Sequence, residues 1–384
     1  MYMQEKWLTR NMILISFSAF FSDMGYQAVL AVLPVLLVIV YHAPVYIYGI
    51  TVAVSYGLGS LMGYIGGRLS DKYGKKKVVV AGNALILILS FSGVAPNAYA
   101  ASALFIAGWL SRNFRSPARK SMFSDETNEV NRGRAFGFLN ALDVGGGVAS
   151  VLMLVLLIYL GTPLKDVLLI TAIPITVATI LLALVKERPG VKREIHEGSS
   201  GLGAYRGVLI ATALYGFSFY SLGFPVLTIA QATRMDIPAF ASYGLFLLAS
   251  ALFGYFIGTR KMKLIPSLGI LGYLLSAIGT MLLGLAYFLH LGLLALVVSV
   301  LIIGMAVGTI DTLEPNLITQ VKRQLGEGMG ALTASRSLGL FFGNLIMGML
   351  YYFSPVYSYS YAAAAAFLAF LVLLAFGGKY SGKI

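Results

Sequence analysis

The chain is a succession of apolar blocks separated by short polar loops, and this alternation restricts its fold more than any single residue does. Twelve blocks are long enough to cross a bilayer as helices. They lie near 11–40, 46–69, 78–96, 98–118, 135–160, 165–186, 206–231, 237–258, 264–288, 291–316, 329–353 and 357–378. Lipid cannot hydrogen-bond a backbone, so only helices and closed barrels span it. Barrel strands alternate apolar and polar residue by residue, and these blocks do not. Of the 384 residues 58% are hydrophobic and 11% charged, against roughly 25% charged in soluble domains. The expected fold is an all-α polytopic membrane protein of twelve transmembrane helices.

The charges give the orientation. Lys and Arg gather in alternate loops: Lys6 and Arg10; Arg68, Lys72, Lys75, Lys76 and Lys77; Arg119, Lys120, Arg132 and Arg134; Lys186 to Arg206; Arg260, Lys261 and Lys263; Lys322 and Arg323; Lys379 and Lys383. The opposite loops offer Lys165 and Arg234. By the positive-inside rule both termini are expected in the cytoplasm, in a plasma or inner membrane. The formal charge of +13 is then topogenic, with a secondary attraction to anionic lipid. It does not point to nucleic acid, because no soluble domain carries it. Met1 to Arg10 is a short basic arm, and the apolar block after it is far longer than a signal-peptide core, so no cleavable signal is expected. There is no cysteine. His42, His196 and His290 lack metal-ligand spacing, and neither a nucleotide-binding loop nor a nucleophile elbow occurs. No cofactor, metal or enzymatic activity is expected.

Residues 187–205 form the longest hydrophilic stretch, rich in charge, Gly and Ser, which marks a linker. It divides the chain into six-helix halves, 1–186 and 206–384. The halves carry a faint parallel repeat, as such bundles do. Arg134-x-x-Gly137-x-Leu139-x-Ala141 recurs as Gly330-x-Leu332-x-Ala334, and this register sets Asp143 against Arg336. Ser116-Pro117 recurs as Glu314-Pro315, each read as the end of its span, the fourth and the tenth.

Between spans two and three stands Gly67-Arg-Leu-Ser-Asp71-Lys72-Tyr-Gly74-Lys75-Lys76-Lys77. The loop resembles the G-x-L-a-D-r-x-G-r-k signature of the major facilitator superfamily. Arg115-Ser-Pro-Ala-Arg119, Asp125-Glu126 and Arg132-Gly-Arg134-Ala-Phe-Gly137 are similar to that family's loop between helices four and five. With twelve spans and a central linker, the resemblance covers essentially the whole chain. It implies two six-helix bundles that alternate access to a central site, driven by a secondary energy source. It further implies an inner gate of Gly67, Asp71, Lys72, Gly74, Lys75 and Arg134. In the family the signature acid lies against the start of helix eleven, here 328–334, and a helix N-terminus suits a carboxylate.

Charged residues inside the spans are functional candidates. Asp23 is about a dozen residues into span one, roughly 18 Å from its inner end at 1.5 Å per residue. It is the first candidate for proton coupling, with Asp143 in span five the second. The competing reading of Asp23 is a fixed ion pair with Arg112 of span four. Arg112 stands where drug-exporting relatives carry an arginine, although the glutamine-glycine that follows there is replaced by Asn113-Phe114. Asp311 or Glu314 is expected to pair with Arg336. Tyr26, Gln27 and Tyr220 fall near the midplane on spans one and seven, which line the cavity in the family. Arg112, Asp311, Glu314 and Arg336 complete the expected cavity set. Gly145-Gly146-Gly147 lacks the proline that accompanies such glycines in antiporters.

The expectation is a monomeric, proton-coupled exporter of small hydrophobic organic compounds. The direction rests on resemblance to efflux members. The alternatives are uptake or facilitated transport of a metabolite or organic anion through Arg112 and Arg336, and a non-transporting sensor on the same scaffold.

Overall fold

The computed structural model describes residues 8–127, 131–186, 202–218, 221–260, 262–321 and 325–377. Twelve helical rods run through them, with no strand among the described residues. They are α1 (Arg10–Val40), α2 (Val45–Tyr73), α3 (Lys75–Val94), α4 (Ala98–Ser124), α5 (Arg132–Tyr159) and α6 (Leu164–Ala183). α7 is described in two pieces, Leu202–Ser218 and Gly223–Thr233. α8 (Asp236–Gly258), α9 (Leu264–Phe288), α10 (Gly292–Val321), α11 (Leu325–Phe353) and α12 (Pro355–Gly377) follow. Ten of the rods are both long and apolar enough to cross a membrane. α4 and α11 have the length but not the hydropathy. α4 carries Arg112, Arg115, Arg119 and Lys120, and α11 is diluted by Ser335, Arg336, Ser337 and Asn344.

Two helices run further than the sequence implies. Pro117 and Pro315, read as helix ends, lie inside α4 and α10. A proline removes one backbone bond and crowds the carbonyl four residues back. In α4 the neighbouring helix lies close enough to hold the rod together, since a β-carbon on Gly66 of α2 would overlap the Phe114 carbonyl. Gly308 of α10 makes the equivalent approach to the Ser250 carbonyl of α8. Close backbone approach at small residues such as Gly66 and Gly308 is how helices associate in lipid, where burial of apolar surface contributes little.

The rods form two compact units. The first comprises Met1–Leu36 and Leu58–Arg193, the second Leu37–Gly57 and Glu194–Ile384. The boundary thus passes through α2, whose helix is interrupted at Leu58. In the first unit Met12, Ile15, Val79, Met122, Phe123 and Leu182 build a buried core from α1, α3, α4 and α6. In the second, Tyr215, Leu268, Tyr273, Ile310 and Leu373 do the same for α7, α9, α10 and α12. The opening segment of α2 belongs to that core as well. Tyr48 donates to Ser221 Oγ at 2.7 Å and meets Phe224 edge-on at 5.0 Å between ring centres. The Ser221 N–H, just ahead of the second piece of α7, is answered by Asn344 Oδ1 at 2.7 Å. Large apolar side chains such as Leu61, Ile173, Leu252 and Leu294 remain more than half exposed, as lipid-facing positions do.

Candidate functional site

In the first unit the charged residues of α1, α4 and α5 converge. α4 presents Arg112, Arg115 and Arg119 at spacings of three and four, which puts them on one face of a helix. A fourth span that ends near 118 leaves Arg119 in a loop. With the helix continuing to Ser124, Arg119 is instead 6% exposed. Its Nη2 donates to both carboxylate oxygens of Asp143 on α5, at 3.3 and 3.2 Å.

Arg115 is 2% exposed and is held by neutral groups. Its Nη1 donates to Ser22 Oγ of α1 at 2.9 Å and to Asn83 Oδ1 of α3. The Asn83 amide donates onward to Thr179 Oγ1 of α6 at 2.7 Å and to the Ile175 carbonyl at 3.3 Å. Four helices are joined through one polar chain, so Arg115 is anchored by dipoles and not by a carboxylate.

Arg112 has another environment. Its guanidinium lies over the rings of Tyr26, at 5.0 Å, and Trp109, at 4.8 Å. The two rings meet edge to face at 5.8 Å, and Phe105 stacks on Trp109. Cation–π contacts of this kind are worth about 0.5–2 kcal/mol. The Nε of Arg112, the Nε of Arg115, and the Nε and Nη1 of Arg119 are buried with no hydrogen-bond partner among the described residues.

Asp23 is 7% exposed. It accepts a hydrogen bond from the Tyr26 hydroxyl and forms no ion pair among the described residues. The Asp23–Arg112 pair of the competing reading is therefore not made; the guanidinium rests on the aromatic rings. Asp23, Asp143, Arg112 and Arg119 stay within electrostatic reach of one another. Gln27 is half-buried beside Tyr26 in the chain.

The second unit holds a cluster of opposite balance. Arg336 of α11 donates through Nη1 to Asp311 Oδ1 at 2.8 Å and through Nη2 to Glu314 Oε2. Sequence reasoning offered one acid or the other; both take part. Glu314 is fully buried and also accepts from the Tyr273 hydroxyl at 2.6 Å. Tyr273 stacks on Tyr215 at 4.8 Å. Tyr220 lies outside the described residues.

At the signature loop, Gly67, Asp71 and Lys72 belong to the last turns of α2. Gly74 turns the chain with φ of 96°, a conformation that L side chains rarely adopt, and α3 starts at Lys75. Lys75 pairs with Asp125, which follows α4. Next to it, Glu126 accepts from Asn11 Nδ2 at 2.8 Å and Thr9 Oγ1 at 3.1 Å, and the Asn11 amide brackets the backbone of Lys186. Asp71 is exposed, with no ion pair or hydrogen bond among the described residues. The side chains of 328–331, in its expected partner segment, are outside the described set. Arg134 is exposed on α5.

Arg115, Arg119, Asn83 and Trp109 were not singled out as site residues from the sequence. The spacing 112, 115, 119 was the available signal, obscured by reading Pro117 as a helix end.

The profile of the Major Facilitator Superfamily matches residues 15–343. A relative from Methanocaldococcus jannaschii, described as an uncharacterized MFS-type transporter, is 25% identical over 96% of both chains. Among solved structures, a D-xylose-proton symporter superposes with a TM-score of 0.78 at 15% identity, over 96% of this chain and 97% of the other. A POT family transporter in complex with a thioalcohol-conjugated peptide gives 0.78 at 13% identity, over 96% of each chain. At such identities these likenesses bear on the fold alone.

Proposed function

Because this chain belongs to the Major Facilitator Superfamily and is a multi-pass membrane transporter of small molecules, we propose that it is a proton-coupled secondary transporter in which Asp23 carries the proton. The observation behind this reading is the environment of Asp23. It is buried inside a membrane helix, its hydrogen bond comes from a neutral tyrosine, and it has no salt bridge among the described residues. A carboxylate kept charged in such a place costs several kcal/mol, and taking up a proton removes that cost. Asp143 is the weaker candidate, because Arg119 already neutralises it. In this reading Tyr26, Trp109 and Arg112 meet the solute, a small organic molecule with an apolar body. Gln27 is a positioning group beside them, Asp311, Glu314 and Arg336 hold α10 to α11 within the second unit, and Gly67, Asp71, Lys72, Gly74, Lys75 and Arg134 serve the gate.

The test uses purified protein in sealed liposomes containing a pH-sensitive dye. A proton gradient is imposed and organic cations, anions, sugars and amino acids are added in turn. Solute-dependent proton movement that is abolished by Asp23→Asn is the expected result. Movement that survives in Asp23→Asn transfers the proton to another acid. Solute flux with no proton movement in the unaltered protein overturns the coupling.

A further inference from the structure

We propose that the arginine face of α4 is a binding site for a small organic oxyanion, a carboxylate or phosphate on an apolar body, and that this anion binds together with the proton on Asp23. The inference rests on the proton-coupled reading above and adds the substrate class to it.

The charge balance carries the argument. Arg112, Arg115 and Arg119 face Asp23 and Asp143, so three guanidiniums meet two carboxylates and one positive charge is left over. Arg115 spends its hydrogen bonds on Ser22 and Asn83, which are neutral, and therefore adds charge without a counter-charge. The other polar groups facing the cluster, Tyr26 and Thr179, are neutral, and Lys120, whose surface is exposed, lies within electrostatic reach of Arg112, Arg119 and Asp143 and adds to the positive side. Among the described residues the second unit has no such excess: there Arg336 is answered by both Asp311 and Glu314.

Unused hydrogen-bonding capacity points the same way. Arg119, 6% exposed, gives only Nη2 to Asp143 and leaves Nε and Nη1 buried without an acceptor. Arg112 leaves Nε in the same state. Unmet buried donors carry a desolvation cost that an incoming acceptor relieves. A guanidinium presents its donors as a planar fork suited to carboxylate and phosphate. Tyr26 and Trp109 beside Arg112 supply an apolar wall for the rest of the ligand. Arg112 and Asp143 are only partly buried, so the face is not sealed. Within the set of guanidiniums and carboxylates, a proton on Asp23 raises the uncompensated charge from one to two; a carboxylate returns it to one and a doubly charged phosphate to zero. Each ligand thus favours the other, as linked binding requires, which makes the coupled movement a symport.

Trp109 provides a local readout. The chain has two tryptophans, so Trp7→Phe leaves Trp109 as the sole tryptophan, excited at a wavelength that tyrosine does not absorb. This variant, full-length and in detergent micelles, is titrated with benzoate, phenyl phosphate, benzamide and benzylamine at alkaline pH. A saturable change in emission with benzoate or phenyl phosphate, and none with the amide or amine, is expected; which anion binds tighter separates carboxylate from phosphate. Arg112→Gln should weaken that binding roughly tenfold or more, the loss of one charge-assisted hydrogen bond. Arg112→Lys should recover only part, and Asp23→Asn, a mimic of the protonated state, should tighten it. Equal responses to benzoate and benzamide, a response to benzylamine, or no saturable response to either anion overturns the site. The comparison among ligands is made without altering Arg112, so a misfolded variant cannot decide it. Anion binding that ignores Asp23→Asn removes the linkage and keeps the site. Asp23-dependent proton movement driven only by a cation or neutral solute keeps the proton-coupled reading and removes the site.

Discussion

Arg119 and Asp143 pair at 3.2 Å between α4 and α5, on the helices whose counterparts in the repeat, α10 and α11, hold Glu314 and Arg336. The same helix pair is bonded in both units with the signs exchanged. The register that sets Asp143 against Arg336 accounts for this, since the basic member moves from the fourth helix of one repeat to the fifth helix of the other.

Removing one member of such a pair leaves the other uncompensated, at a cost of about 3–5 kcal/mol for a buried pair. The side chains are 7% and 25% exposed, so the lower end of that range applies. Asp143→Ala should lower the melting temperature of the purified protein markedly. Combining Arg119→Gln with Asp143→Asn should cost less than the two single changes added together. A double-mutant cycle in detergent, followed by thermal unfolding, measures the difference. Additive losses would mean that the pair contributes nothing as a pair.

In the second unit the two acids on Arg336 should differ. The Asp311 side chain is 50% exposed and that of Glu314 fully buried. Asp311→Asn is expected to change stability by about 1 kcal/mol at most, as exposed pairs do. Glu314→Ala also strips the Tyr273 hydroxyl of its acceptor and should cost several times more. Melting curves of the two variants, compared at one detergent concentration, give the ranking. Equal losses would contradict the burial argument.

Packing predicts a third contrast. A β-carbon at Gly308 overlaps the Ser250 carbonyl, while one at Gly137 meets nothing within 4 Å. Gly308→Ala must separate α8 from α10 and should reduce the yield of monodisperse protein. Gly137→Ala, inside α5, should be neutral or stabilising by up to about 1 kcal/mol, the helix-propensity gain of alanine over glycine. Size-exclusion profiles after mild heating distinguish the two.

The helices were largely legible because lipid makes the hydrophobic signal long and continuous: ten of the expected spans recur as apolar helices, and most boundaries lie within a few residues. The grouping of Asp311, Glu314 and Arg336 was also within reach, since 311 and 314 are one turn apart and the repeat brings α11 beside them. The first unit was read less well. Pro117 looks like a terminator until the close approach of Gly66 is known, and that error removed Arg119 from its helix. An Asp23–Arg112 pair is natural when only charges are counted. The aromatic rings that occupy Arg112 act through orientation, which sequence does not encode locally. Asn83 stands alone in the apolar run from Val78 to Leu89, and nothing around it reveals that it bridges α1, α4 and α6.

The buried nitrogens of Arg112 and Arg119 that lack acceptors have a consequence for handling the protein. A core with unmet donors makes the empty form the less durable one, and whatever completes those bonds adds stability in proportion to the logarithm of its concentration over its dissociation constant. The natural cargo should therefore act as a preservative. A library of metabolites can be ranked by how long the solubilised protein survives at elevated temperature, with no membrane, no gradient and no assumption about the direction of transport.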